Sequence, residues 1–219
     1  MMKIGIFGAG FIGAAVAKLA TDQGHAVMIS SRHPESLGAL AAEIGCTAGT
    51  IGQAAAFGAL CVAALPFKAL DSIPSGPLSG KIVIDAMNYY PERDGQIPAL
   101  DRRATTTSAL VAEHLPQARI VKAFSAILAR DLPLTARPAV PSGRQALPIA
   151  GDDGEAKRIV AALHDEFGFD VVDTGPLAES WRFERAKPAY CIPFDRDGLR
   201  AALASATREG ELPHGSWRR

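Results

Sequence analysis

Short apolar runs alternate with stretches of helical periodicity along almost the whole chain. That alternation is the pattern of a parallel α/β sheet, in which a helix follows each strand and packs back on it. Strands are expected at 3–8, 26–31, 60–65, 81–86 and 119–124, with later ones at 147–150 and 170–173 and a short addition at 46–50. Ile82-Val83-Ile84 is apolar on consecutive positions, as a strand is when helices cover both faces of its sheet. Helices are expected at 11–23, 35–44, 107–114 and 155–167, and near 198–209. Gly24 stands where the first helix should end, since glycine accepts the positive φ of a helix C-terminus. Asp152 or Asp153 is expected to cap the helix that begins near Glu155. The segment 125–145 carries Pro133, Pro138 and Pro141, shows no period, and reads as a lid, a binding loop or a surface crossover.

Gly8-Ala9-Gly10-Phe11-Ile12-Gly13 is a complete G-x-G-x-x-G that leaves one predicted strand and opens one predicted helix. In that context the glycines form a turn that brings backbone against a pyrophosphate at a helix N-terminus. The expected fold is therefore α/β, a Rossmann-type doubly wound and mostly parallel sheet with helices on both faces. It should span residues 1–175, with a short helical extension over 176–219. A carboxylate about 20 residues past the glycines would select NAD by accepting the ribose 2′-hydroxyl. Here the second strand ends in Ser30-Ser31-Arg32-His33, with no acid before Glu35. Hydroxyls and a guanidinium suit a 2′-phosphate instead. A hydrogen bond to a charged group is worth about 1.5–3 kcal/mol, so Arg32 alone would favour NADP roughly ten- to hundredfold.

In such folds the crevice lies beyond the carboxyl ends of the strands. Ala64, Leu65 and Pro66 should run beneath the dinucleotide, and Asn88 and Lys122 are the candidates to face the same crevice. Both also have plain readings, Asn88 as a turn former before Pro91 and Lys122 as a solvent-directed strand residue. His25, His114, His164 and His214 read as surface or helix-end residues, and no catalytic constellation emerges. The absence bears on chemistry. Alcohol and hydroxy-acid dehydrogenases move a proton with the hydride and need an acid or base. Transfer to a flavin-like ring needs mainly proximity and orientation.

Composition narrows the setting. The 219 residues carry 23 basic and 23 acidic side chains, so nothing steers the chain toward nucleic acid or an anionic membrane. Cys46, Cys61 and Cys191 are too few and too scattered for a disulfide framework or a metal site, which fits reduced thiols in the cytoplasm. The apolar run after Lys3 imitates a secretory leader, but four glycines interrupt it and it flows into a helix.

Beyond the glycine turn, the chain carries Ser31-Arg32, Ala64–Lys68 (ALPFK), Asp85–Tyr90 (DAMNYY), Val121–Phe124 (VKAF), Ala150–Asp153 (AGDD), Gly168–Asp170 and Gly175–Leu177 (GPL) in order. With these pieces it resembles the dinucleotide-binding family that includes the NADPH-dependent deazaflavin (coenzyme F-420) reductases, and it is similar to the NADPH domain of the six-transmembrane metalloreductases. The resemblance implies a homodimeric enzyme passing hydride between NADP(H) and a small-molecule electron carrier, a flavin or deazaflavin. It puts the pyrophosphate on residues 8–13, the 2′-phosphate on Ser31 and Arg32, the nicotinamide at Leu65 and Pro66, and the carrier near Lys122. Two departures fall where the carrier should bind. Ser125 replaces the asparagine that members often have after VKAF, and the stretch 179–185 with the tail from Ala189 is unlike the deazaflavin reductases. Two rival readings are an NADP(H)-sensing regulator, with Tyr89, Trp181 or the proline-rich loop filling the face above the nicotinamide, and a small imine or carbonyl reductase using Lys122 or Tyr89 as proton donor.

Overall fold

The chain runs β1 (Lys3–Phe7), α1 (Phe11–Asp22), β2 (Ala26–Ser30), α2 (Gly38–Ile44), β3 (Thr47–Gly49), α3 (Ile51–Phe57), β4 (Leu60–Ala63), β5 (Ile82–Asp85), α4 (Pro91–Asp94), α5 (Pro98–Asp101), α6 (Thr107–His114), β6 (Arg119–Lys122), α7 (Asp131–Thr135), β7 (Ala146–Gly151), α8 (Gly154–Glu166), β8 (Asp170–Asp173) and α9 (Arg196–Ser205). This computed structural model describes residues 1–137, 143–213 and 215, so Pro138, Pro141 and His214 lie outside the described residues.

The strands form one eight-stranded sheet in the order β3-β2-β1-β4-β5-β6-β7-β8. Successive strands build outward from β1 in one direction and from β4 in the other, so the order reverses between β1 and β4. Every pairing is parallel except β6 with β7. That antiparallel pair joins only Val121 to Gly151 and Lys122 to Ala150. The rest of β7 therefore extends past the end of β6.

Period-two alternation sorts the core. Ile4 and Ile6 belong to the core cluster that also takes in residues of α1, α2 and α8, while Phe7, Cys61 and Val83 belong to a second one with Phe67 and residues of α3 and α6. A Cβ on Gly5 would stand 2.1 Å from the Ala54 carbonyl oxygen, so glycine there lets α3 lie directly on the strand. α3 was not expected from periodicity, yet its start is well signalled. Thr50 Oγ1 accepts the Gln53 N–H at 3.2 Å and Gln53 Oε1 accepts the Thr50 N–H at 2.8 Å, a reciprocal cap. Asp153, of the two candidates, caps α8 by accepting from Glu155 and Ala156. The helix expected from 35 begins as a 3-10 turn at Pro34, and the last helix starts at Arg196, capped by Asp195, and stops at Ser205. The segment expected to be irregular contains α7.

The C-terminal extension shares its core with the sheet. Phe183, Ala189, Leu199, Ala202 and Leu203 pack on Ala146, Ala150 and Val172 of β7 and β8. Trp181 and Phe183 are buried within the chain, with Arg182, Lys187 and Arg208 lying over the indole. Among the described residues, no helix is long and apolar enough to cross a membrane.

Candidate functional site

The turn after β1 is tightened by two glycines and left open by a third. Gly8 adopts φ +100°, which only glycine takes without strain, and its N–H donates to Ser30 Oγ at 3.3 Å. A Cβ on Gly13 would sit 2.2 Å from the Gly8 carbonyl oxygen, so α1 starts in direct contact with the strand end. Gly10 differs from both. Its φ of −74° and ψ of −175° suit any residue, and a Cβ built there meets no atom within 4 Å. Nothing in the chain itself requires glycine at this position, so the missing side chain keeps a space clear at the N-terminus of a twelve-residue helix.

That space opens into a groove of about 660 Å³ over the end of β1, at the point where the strand order reverses. Of the expected residues it brings together Gly8, Ala9, Gly10, Ser30, Ser31, Arg32, Ala64, Leu65 and Pro66. Leu37, Ile51 and Ala69 add apolar wall, and Lys68 and Ser72 add polar groups that sequence reasoning did not single out. Among the described residues no Asp or Glu lines the groove. Ser30 is buried with its hydroxyl on Gly8, so it holds the turn rather than standing free for a phosphate. Ser31 Oγ accepts the His33 N–H at 3.1 Å, leaving Arg32 exposed. These residues fit a dinucleotide: an uncrowded helix N-terminus for a pyrophosphate, a guanidinium at the ribose end, and apolar walls for a base.

The side chains of several other expected residues do not line the groove. His33 does not line the groove, and its Nδ1 is 3.3 Å from Glu35 Oε1. Ile12 packs against the core. Phe11 is 90% exposed and, with Leu128, Ala129 and Arg130, lines a neighbouring apolar recess of about 590 Å³. Asn88 does not line the groove either, and its Nδ2 donates to the Ser125 carbonyl at 2.8 Å, tying the β5 end to the β6 end.

Lys122 corrects the largest expectation. Its side chain is fully buried beneath the strand ends rather than facing the crevice. Its ammonium donates to Asp85 Oδ2 at 3.1 Å, to Thr107 Oγ1 at 3.2 Å and to the Met87 carbonyl, which occupies all three protons. Asp85 also accepts from Ser108 Oγ at 2.7 Å and from the Met87 N–H at 3.0 Å. Two of the histidines read as surface or helix-end residues are buried, His25 just after α1 and His164 in the last turn of α8. His25 Nδ1 accepts the Met2 N–H at 3.0 Å, so its Nε2 carries the proton and donates to Glu166 at 2.7 Å. His164 stacks on Phe124 with ring centres 4.0 Å apart, and burial pushes its pKa down to about 4. His114 does sit at a helix end, with Nε2 2.8 Å from the Ile73 carbonyl. The phenol of Tyr89 is held between Asp101 and the Ile97 N–H.

Comparison with known proteins supports the family resemblance. The model of the family of coenzyme F420-dependent NADP oxidoreductases matches residues 3–89, from β1 through the β5 terminus. The chain is 27% identical to the metalloreductase STEAP3 of Rattus norvegicus over 197 residues, 87% of this chain and 38% of that protein. It spans half or less of the length of the curated relatives it matches. Among solved structures it is similar to the hypothetical protein SMa0349 of Sinorhizobium meliloti, with 29% identity, a TM-score of 0.75, and 90% of this chain and 97% of that one covered. A protein of Arthrobacter sp. FB24 assigned as an F420-dependent NADP reductase is 26% identical with a TM-score of 0.69, covering 80% of this chain and 86% of that one. Family and named neighbour alike are NADP-linked oxidoreductases.

Proposed function

We propose that this chain, whose residues 3–89 match the family model of the coenzyme F420-dependent NADP oxidoreductases, is an NADPH-dependent reductase of a flat organic electron carrier, a flavin or deazaflavin. The observation that carries the proposal is the groove at the α1 N-terminus, where Gly10 has no side chain and leaves the approach to the free backbone N–H groups clear for a ligand. Bound NADPH supplies a hydride, and with one solvent proton the carrier leaves as its dihydro form. The chain's contribution is placement. The α1 N-terminus and Arg32 meet the phosphates, and Leu65 and Pro66 support the nicotinamide end of the groove. The recess of Phe11, Leu128 and Ala129 offers an apolar seat beside it, with Arg130 available to an anionic group on the carrier.

The structure favours this reading over its rivals. The candidate proton donors for imine or carbonyl reduction are committed elsewhere, Lys122 to Asp85 and Tyr89 to Asp101. Of the groups that could have plugged the crevice of a sensor, Tyr89 and Trp181 do not line the groove, and the proline-rich loop lies partly outside the described residues. A homodimer working in the cytoplasm belongs to the same proposal. Stopped-flow mixing of NADPH-loaded protein with flavins, deazaflavin, quinones and ferric chelates tests it directly. Rapid loss of reduced-nicotinamide absorbance with a flavin or deazaflavin is expected, and an NADPH complex that none of them oxidises would overturn it.

A further inference from the structure

The groove holds a second cation besides Arg32. Lys68 lies in the 3-10 turn Phe67–Ser72 that follows β4 and lines the same groove. Its backbone is pinned. Phe67 beside it is buried, and the Lys68 N–H donates to Asp94 Oδ1 at 3.4 Å. Because β2 and β4 flank β1, Arg32 and Lys68 rise on opposite sides of the groove that crosses the end of β1. Resting on the assignment of this groove to NADP(H), we propose that Lys68 is a second anchor for the adenosine 2′-phosphate, closing from the β4 side while Arg32 holds it from the β2 side.

Charge is the first support. Among the described residues neither Arg32 nor Lys68 makes an ion pair with a carboxylate, whereas Arg119, Lys157 and Arg196 do. Asp94, which accepts the Lys68 N–H, is already held by the Arg93 guanidinium at 2.8 Å and by the Tyr90 N–H at 2.9 Å. Lys68 also borders a second recess with Asp71, Asp94 and Glu113, but in the groove it shares with Arg32 no carboxylate among the described residues competes, and two cations there suit an anion of more than one charge. A phosphate monoester carries close to two charges at neutral pH, more than a single exposed guanidinium satisfies. The second support is placement. Leu37, Ile51 and Ala69 line the same groove and suit an adenine ring, whose attached ribose would then be within reach of the cations on either side of β1. A lysine is apt for the second position, because its flexible stem and compact charge close on a phosphate already oriented by the planar arginine fork.

The test is calorimetric titration of the wild-type chain, Lys68→Met, Lys68→Arg and Arg32→Ala with NADPH and with NADH. Lys68→Met is expected to weaken NADPH about tenfold, to leave NADH within about twofold, and to keep its melting temperature because the side chain is exposed. Lys68→Arg should retain most of the NADPH affinity. An unchanged NADPH affinity in Lys68→Met, or equal losses for the two dinucleotides, would overturn the assignment. Failure of the underlying reading looks different: wild-type protein would bind neither dinucleotide, or Arg32→Ala would leave the preference intact.

Discussion

At the scale of single residues, the decisive fact is that a lysine at a strand end can point inward. Lys122 and Asp85 are 37 residues apart in sequence, on strands paired at that position, and both are buried completely. Sequence shows the lysine but not the carboxylate beneath it, so the strand alternation that places Lys122 near the crevice cannot say that its ammonium is already spoken for. The pair gathers Met87, Thr107 and Ser108 around it, which fixes the β5 exit just before Asn88 and the start of α6. Removing one partner strands the other charge in the interior, at a cost of about 3–5 kcal/mol. Lys122→Met is therefore expected to lower the melting temperature by roughly 6–20 °C, each kcal/mol moving a chain of this size by about 2–4 °C. Adding Asp85→Asn, which removes the orphaned charge, should restore much of the loss. Equal melting of wild type and Lys122→Met would show that the pair contributes no stability.

At the scale of elements, the strand–turn–helix unit β1–α1 separates what glycines do for the fold from what they do for a ligand. Gly13→Ala would push a methyl into the Gly8 carbonyl, 2.2 Å away, and should destabilise the protein by a few kcal/mol. Gly10→Ala meets no atom of the chain, so unfolding in urea should change by less than about 1 kcal/mol while NADPH affinity falls at least tenfold. Loss of stability without loss of binding in Gly10→Ala would reverse that division. This unit was also the most legible in sequence, because a glycine pattern between a strand period and a helix period is a purely local signal. The strands at 26–31, 60–65 and 170–173 were legible for the same reason. α3 was missed because its alanine-rich run carries no period, and its one signal, Thr50 with Gln53, is a cap rather than a pattern. Lys68 was missed as a groove residue because its role depends on which strands flank β1, a fact of topology that no local window contains.

At the scale of the whole molecule, stability and site meet on the far side of the sheet, at α8. His164 is sealed between Phe124 and the α8 backbone, its Nδ1–H donating to the Val160 carbonyl at 2.7 Å and its Nε2 without a partner. Phe124 takes a left-handed φ of +55°, and the next residue, Ser125, accepts the Asn88 amide, so the stacked rings help set the loop at one end of the crevice. The buried imidazole stays neutral down to about pH 4, whereas in the unfolded chain it takes a proton near pH 6.5. Above pH 6.5 neither state binds the proton and this group costs nothing. Between 6.5 and 4 the unfolded chain gains a proton that the folded one refuses, so stability falls by about 1.4 kcal/mol per pH unit, roughly 3 kcal/mol in all. Below pH 4 both states are protonated and the loss stops growing. Urea unfolding of wild type and His164→Met at pH 7, 6, 5 and 4.5 isolates the effect, since methionine conserves bulk without titrating. The wild type should lose ground to the variant progressively below pH 6, and parallel profiles would mean that the imidazole is charged, or solvated, in the native protein.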